Sequence, residues 1–301
     1  MSKYKLITDE VYLENTKKDI SIIHIADIHF SKSTKVKKLD NLCEFIKENN
    51  PDYIMITGDL IDTPEITKDN KISELYDFLN NLGSITKVMI SIGNHDAYWS
   101  EDLKFFAKLN ELKNIYVLDD KEYHDDFIEV LGITLPNNYY YNVTKDESAD
   151  IMAAYIKDIH HDFNGLNKNL PKILMVHSPI RLTDEIILPK VNKFDLILSG
   201  HTHAGMVPYC LNFLFKGNRG IIAPNKKIFP KVAKGKIVKE QDNHKTTIII
   251  NGAVTKLSRQ AGIVFNMLNF MWPVSINKII ITKKEGNKKW VKSKTFTPEK
   301  Y

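Results

Sequence analysis

Ser21-Ile22-Ile23-His24-Ile25-Ala26-Asp27-Ile28-His29 is the stretch whose reading decides the fold. Ser21 to Ala26 is a short apolar run rich in β-branched isoleucine, the length of one buried strand and too short for a core helix. The run ends at an Asp and a His two positions apart, and a helix is expected from Val36 to Asn49. The unit of strand, polar loop and helix then recurs. Tyr53 to Thr57 ends at Gly58 and Asp59 before a helix near Lys71 to Asn81, and Lys87 to Ile92 ends at Gly93, Asn94, His95 and Asp96.

Further strands are read at Ile115 to Leu118 and Phe127 to Leu135, and a helix at Ala149 to His161. Lys172 to Val176 then delivers His177, and Phe194 to Leu198 delivers Ser199, Gly200, His201, Thr202 and His203. Beyond Gly205 come loops with short strands, followed by apolar runs at Thr246 to Asn251 and Ile276 to Thr282. Strands alternating with helices point to an α/β sandwich of layers with a mixed sheet. Ligands bind past the carboxyl ends of strands in such folds, so the five polar clusters are expected to meet at one place.

Charge and composition narrow the class. Lys and Arg total 42 against 37 Asp and Glu, a net charge of +5 that suits an anionic substrate and is too weak to mark a nucleic-acid binder. Cys43 and Cys210 match no C-x-x-C spacing, so neither a disulfide framework nor a cysteine metal site is supported. Met1 to Lys18 lacks a run of signal-peptide length, and no window is long and apolar enough to span a bilayer. The expectation is a soluble, cytoplasmic chain of one domain over residues 1–301, with a ligand-bearing core at about 20–205 and a completing segment at 206–301. Peripheral membrane contact stays open.

Carboxylates and imidazoles mixed in this way suit Mn, Fe or Zn better than Ca or a sulfur-ligated ion. In a strand-to-loop turn, residues at i and i+2 can point the same way, so Asp27 and His29 can bind one ion, while His201 and His203 can face neighbouring ions. Glycines at 58, 93 and 200 stand just before the polar residues, where unusual backbone angles would bring the next side chain close to an ion. Asp62 has two readings, a support for a neighbouring ligand or a cap for the loop before Pro64, and the cap is favoured. His24, His124, His160 and His161 lack a partner motif and are read as structural or surface residues.

The ordered set Asp27-x-His29, Gly58-Asp59, Gly93-Asn94-His95-Asp96, His177 and Gly200-His201-x-His203 resembles the calcineurin-like metallophosphoesterase superfamily. That resemblance implies a four-layer α/β/β/α sandwich with mixed sheets. It implies that Asp27, His29, Asp59 and His203 bind one divalent ion and that Asp59, Asn94, His177 and His201 bind a second, with Asp59 bridging. A bridging hydroxide between two such ions would attack phosphorus in line. His95 would stand beside the leaving group, with Asp96 orienting its ring.

The run Gly-Asp-Leu-Ile-Asp-Thr-Pro and the Gly-Asn-His-Asp sequence depart from the Ser/Thr phosphoprotein phosphatases, and the tail leaves little room for the extra domains of the DNA-repair nucleases. The tail looks similar to the YkuE-like bacterial phosphodiesterases, although Ala204-Gly205 stands where Gly-Gly is common. A phosphodiesterase acting on a small or amphiphilic phosphate ester is the expectation. A phosphomonoesterase, a cyclic-nucleotide phosphodiesterase and a non-catalytic scaffold are the alternatives. Two uncharged apolar segments, 206–215 and 263–274, admit three readings: burial against the sandwich, which leads, a wall for the leaving group, and shallow membrane insertion.

Overall fold

The computed structural model describes residues 4–97, 103–140, 145–162, 169–222, 228–254 and 274–283. In chain order these hold β1 (Lys5–Tyr12), β2 (Ile20–Ile25), α1 (Val36–Glu48), β3 (Tyr53–Thr57), α2 (Ile72–Ile85), β4 (Lys87–Ser91), α3 (Asn94–Ala97), α4 (Leu103–Leu109), β5 (Ile115–Leu118), β6 (Lys121–His124) and β7 (Glu129–Ile133). Next come α5 (Asn137–Tyr140), α6 (Lys145–Asp162), β8 (Lys172–Val176), α7 (Leu188–Val191), β9 (Leu196–Ser199), β10 (Gly235–Gln241), β11 (His244–Ile250) and β12 (Ser275–Thr282).

Two six-stranded mixed sheets result, ordered β1-β12-β2-β3-β4-β5 and β10-β11-β9-β8-β7-β6. The strands that feed the polar loops, β2, β3 and β4, pair in parallel, as do β8 and β9, so their carboxyl ends share an edge. The C-terminal strands are built into both sheets: β12 lies between β1 and β2, and β11 pairs with β9.

Alternation along each strand explains why the apolar runs are continuous. In β3, Tyr53 and Met55 enter a core shared with Ile173 and Met175 of β8 and Leu196 and Leu198 of β9, so this core lies between the sheets. The intervening Ile54 and Ile56 face outward against Leu39, Leu42 and Ile46 of α1 and Leu75, Phe78, Leu79 and Leu82 of α2. The second sheet does the same: Leu174, Val176 and Ile197 pack under Met152 and Ile156 of α6 and Val191 of α7. A strand buried on both faces has no polar side, which is why periodicity alone gives no alternation. Three cores between four layers make the α/β/β/α sandwich, and each fully buried Ile or Met contributes about 1.5–3 kcal/mol.

Two edge strands, β1 and β6, escape the sequence reading, and the run expected at Phe127 to Leu135 narrows to β7. Among the described residues no helix is long and apolar enough to cross a membrane. The apolar segment at 263–274 lies, apart from Val274, outside the described residues.

Candidate metal centre

The loops after β2, β3, β4, β8 and β9 meet at the shared edge of the sheets. Asp27 N–H donates to Gly58 O at 3.1 Å, His29 N–H to Asp59 O at 2.9 Å, and Gly200 N–H to His177 O at 2.8 Å, so neighbouring loops are stitched through their backbones. The side chains of Asp27, His29, Asp59, Asn94, His177 and His201 are buried, and His203 is half-buried.

Ligand atoms of Asp27, His29 and His203 lie within 4.8 Å of one another, and so do those of Asp59, His177 and His201. Asp59 Oδ2 stands between the two groups, 3.7 Å from His29 Nε2 and 3.2 Å from His177 Nε2. Asn94 Oδ1 is 3.2 Å from the same nitrogen of His177. His95 also falls within 4.8 Å of ligand atoms on His29 and Asp59.

The backbone achieves this in a way that residue spacing does not foretell. Asp27, His29, Asp59, His201 and His203 all have positive φ, between 45° and 66°. The left-handed residues of Asp27-x-His29 and His201-x-His203 are separated by single residues and Asp59 follows a left-handed Gly58, so the loops coil instead of continuing an extended zigzag. For a residue with a Cβ this conformation costs roughly 1 kcal/mol or more, and its clustering at one place is a mark of a functional site. Gly58 also has positive φ, 75°, and a Cβ on it would come 2.5 Å from His177 Nδ1. Gly93 needs room and not unusual angles: a Cβ there would meet Asp59 N at 2.3 Å.

Hydrogen bonds fix which ring nitrogens face inward. A carbonyl only accepts, so His177 Nδ1 donates to Thr57 O at 2.8 Å and its Nε2 is left to face Asp59 and Asn94. His95 Nδ1 likewise donates to Asp62 O at 2.8 Å. His29 Nε2 faces His203 Nε2 at 3.4 Å. Lone pairs of imidazole and carboxylate thus converge in a buried space, an arrangement that needs a cation or extra protons among them. The donor set fits divalent ions.

Counting the protein's own groups alone, the centre polarises its ionisable residues. Burial raises the Asp27 carboxyl to about 6, and the Asp59 charge adds to the rise. Burial opposes charge on His177 too, yet Asp59 and Asp27 lift its ring to about 9. Asp59 is held well below the usual carboxylate range: burial works against its charge, but His177 and His95 outweigh it. Burial and neighbouring rings push His201 and His203 down, His203 to about 3.

Asp96 is wholly buried, and its carboxylate accepts from the backbone N–H groups of Gly93, Leu60 and Ile61 at 2.9, 3.2 and 3.1 Å. It fastens the His95 loop to the Asp59 loop, while the ring of His95 is held by the Asp62 carbonyl. The Asp62 carboxylate turns toward His29, with Oδ1 3.5 Å from Nδ1, which is the position that the supporting reading of Asp62 requires. Sequence reasoning missed Tyr140, whose ring lies 5.3 Å from that of His201 and 6.3 Å from that of His177. The available signal was position: it follows the carboxyl end of β7, on the ligand edge. His24 lies fully buried in β2 and exchanges a 2.8 Å bond with Thr57 Oγ1, a structural histidine as expected. His124 ends the exposed edge of β6.

The pattern of the calcineurin-like phosphoesterases matches residues 20–205, and the chain belongs to that family. An uncharacterized metallophosphoesterase of Campylobacter jejuni is 30% identical over 213 residues, covering 71% of this chain and 51% of the relative. A component of the SbcCD nuclease of Staphylococcus epidermidis is 26% identical over 231 residues, 65% of this chain and 59% of that protein. The UDP-2,3-diacylglucosamine pyrophosphatase LpxG of Chlamydia muridarum is 23% identical over 221 residues, 62% of this chain and 64% of that protein. The chain spans about half the length of the first curated relatives it matches.

Proposed function

We propose that this protein is a dinuclear-metal-dependent phosphohydrolase that prefers phosphodiesters, small or amphiphilic. The observation supporting this reading is the gathering of seven candidate ligand side chains into two groups that Asp59 links, its Oδ2 lying 3.7 Å from His29 Nε2 and 3.2 Å from His177 Nε2, with His95 in reach of His29 and Asp59. Asp27, His29, Asp59 and His203 would hold one ion, and Asp59, Asn94, His177 and His201 the other. Manganese, iron and zinc all suit this mixture of carboxylate, amide oxygen and imidazole. A pair of such ions, when bound, supplies Lewis acidity and a nucleophile drawn from water at neutral pH.

The chain's own residues do the rest. His95 has Nδ1 committed to the Asp62 carbonyl, so its Nε2 is the atom that passes a proton to the departing oxygen. Asp96 keeps Asn94 and His95 in register with Asp59 through its three backbone bonds. Tyr140 walls the side of His177 and His201, and its phenol ring limits water there. Support for diesters comes from the relatives: a nuclease and a UDP-sugar pyrophosphatase both act on phosphorus that carries substituents on two sides. Because β11 and β12 complete the two sheets, residues 1–301 are read as one working unit.

The test is hydrolysis of bis-(p-nitrophenyl) phosphate after reconstitution with Mn, beside p-nitrophenyl phosphate and cyclic AMP. The diester is expected to turn over fastest, and Asp59→Asn to lower kcat/KM at least about a thousandfold. Retained turnover in that variant would overturn the reading, and faster monoester or cyclic AMP turnover would reassign the substrate.

A further inference from the structure

From Ala204 to Lys239 the chain has eight Lys and Arg residues and not one Asp or Glu, more positive charge than the net +5 of the whole protein. The same excursion holds the four most exposed large hydrophobic side chains among the described residues: Phe213 at 67%, Leu214 at 63%, Ile228 at 64% and Phe229 at 64%. Phe215 and Phe229 stack at 6.2 Å, so two loops present one apolar tip. Lys216, Arg219 and Lys231 are exposed around it. Part of segment 206–215 does bury, with Val207 wholly enclosed, but the tip faces outward.

The tip is held from below. Gly220 N–H donates to Pro230 O at 3.0 Å and Phe229 N–H to Ile221 O at 2.8 Å, which makes residues 220–222 and 228–230 a short ribbon. Its root is bonded to the ligand loop: Ile221 and Ile222 both donate to Gly205 O, at 2.8 and 3.2 Å, and Thr202 Oγ1 donates to Ala233 O at 2.7 Å. The second loop is tied in as Lys234 Nζ donates to Asn212 Oδ1 at 2.7 Å. A supported backbone that points Phe, Leu and Ile outward within a wholly basic stretch matches an interface that is apolar inside and anionic at its surface.

We propose that the tip formed by residues 213–219 and 228–231 docks on an anionic phospholipid bilayer, with Phe213, Leu214, Ile228 and Phe229 inserted among the headgroups and Lys216, Arg219 and Lys231 paired with lipid phosphates. Charge complementarity selects a bilayer over a second copy of this chain, whose matching surface would be equally basic. The ribbon that carries Ile228 and Phe229 roots at Gly205, two residues from His203, so the docking tip is tied through the backbone to the loop of the candidate ligands. The inference does not rest on the catalytic reading, since binding is measured without turnover.

The experiment is co-sedimentation of the full chain with vesicles of phosphatidylcholine alone or mixed with phosphatidylglycerol, at low and high salt. Expected is binding at least about tenfold tighter to the anionic vesicles and weakened by salt. Phe213→Ser with Leu214→Ser should lower it about tenfold or more, and Lys216→Glu with Lys231→Glu should abolish the preference for phosphatidylglycerol. Both variants should keep wild-type melting temperatures and wild-type hydrolysis of the soluble diester. Equal binding to both vesicle types, or undiminished binding by the variants, would overturn the proposal. So would sedimentation as a dimer that the Phe213→Ser/Leu214→Ser variant disperses, which would assign the tip to a second copy.

Discussion

His95 and Asp62 are joined through the backbone: the ring donates from Nδ1 to the Asp62 carbonyl at 2.8 Å, while the Asp62 carboxylate stands 3.5 Å from His29 Nδ1. One residue therefore meets two histidines through two different groups, and substitution separates them. Asp62→Asn keeps the carbonyl and removes the charge behind His29. Its Mn affinity by titration calorimetry should fall about 10–100-fold, with kcat at saturating Mn close to wild type. Unchanged affinity would show that the carboxylate does nothing for His29.

His95 itself is expected to matter in proportion to how poorly the leaving group departs. His95→Gln should lower kcat about a hundredfold or more on an alkyl diester and much less on a p-nitrophenyl diester, whose leaving group departs with little need of a proton. Comparison of kcat across a series of leaving-group pKa values reads this directly. An equal loss on every substrate would instead place His95 among the metal ligands.

The ligand-bearing strands were legible because β2, β3, β4, β8 and β9 are buried on both faces and read as unbroken apolar runs. The edges were not. In β1, Lys5, Asp9 and Glu10 interrupt the pattern, and in β6 Lys121, Glu122 and His124 are exposed, since an edge strand keeps charge to resist further pairing. The candidate ligands could be named from their order, but their left-handed backbones could not, because nothing in the composition of Asp-x-His distinguishes a coil from a zigzag. The approach of Asp62 to His29 was hidden for a similar reason: His29 sits on another loop, and only the pairing of residues 27–30 with 58–61 brings them together.

Acid should unfold the protein partly through His24. Burial lowers its pKa to about 3, and its Nδ1 has no hydrogen-bond partner among the described residues. The unfolded chain takes up a proton near pH 6.5 and the folded one only near 3, so this contribution is intact above 6.5 and is lost as pH falls between the two. The loss is about 1.4 kcal/mol per pH unit, or about 2 kcal/mol by pH 5. His24→Leu should flatten the fall of melting temperature between pH 7 and pH 5. Parallel curves for variant and wild type would remove His24 from the acid response.

At the opposite edge from the metal centre, Asp125 gathers five donors. Its Oδ2 accepts from Tyr53, Tyr123 and Lys87 at 2.8, 2.9 and 2.8 Å, and its Oδ1 from the N–H groups of Phe127 and Ile128 at 2.9 and 3.2 Å. Tyr53 and Lys87 open β3 and β4 of one sheet and Tyr123 belongs to β6 of the other, so the carboxylate clasps the sandwich at the edge away from the candidate ligands. Burial opposes its charge, yet Lys87 and the other donors bring its pKa down to about 2. A depressed carboxylate stabilises the fold above its unfolded pKa near 4, and that contribution disappears as pH falls toward 2. Asp125→Ala at pH 7 leaves the Lys87 ammonium and two phenols without their acceptor and should cost about 2–3 kcal/mol, a drop of about 2–4 °C in Tm for each kcal/mol. Diester hydrolysis at 25 °C should be unchanged, because β3 and β4 carry Asp59 and Asn94 at their other ends. A variant that melts normally would show that the clasp is dispensable, and one that melts normally but loses activity would place Asp125 in the function of a site it does not touch.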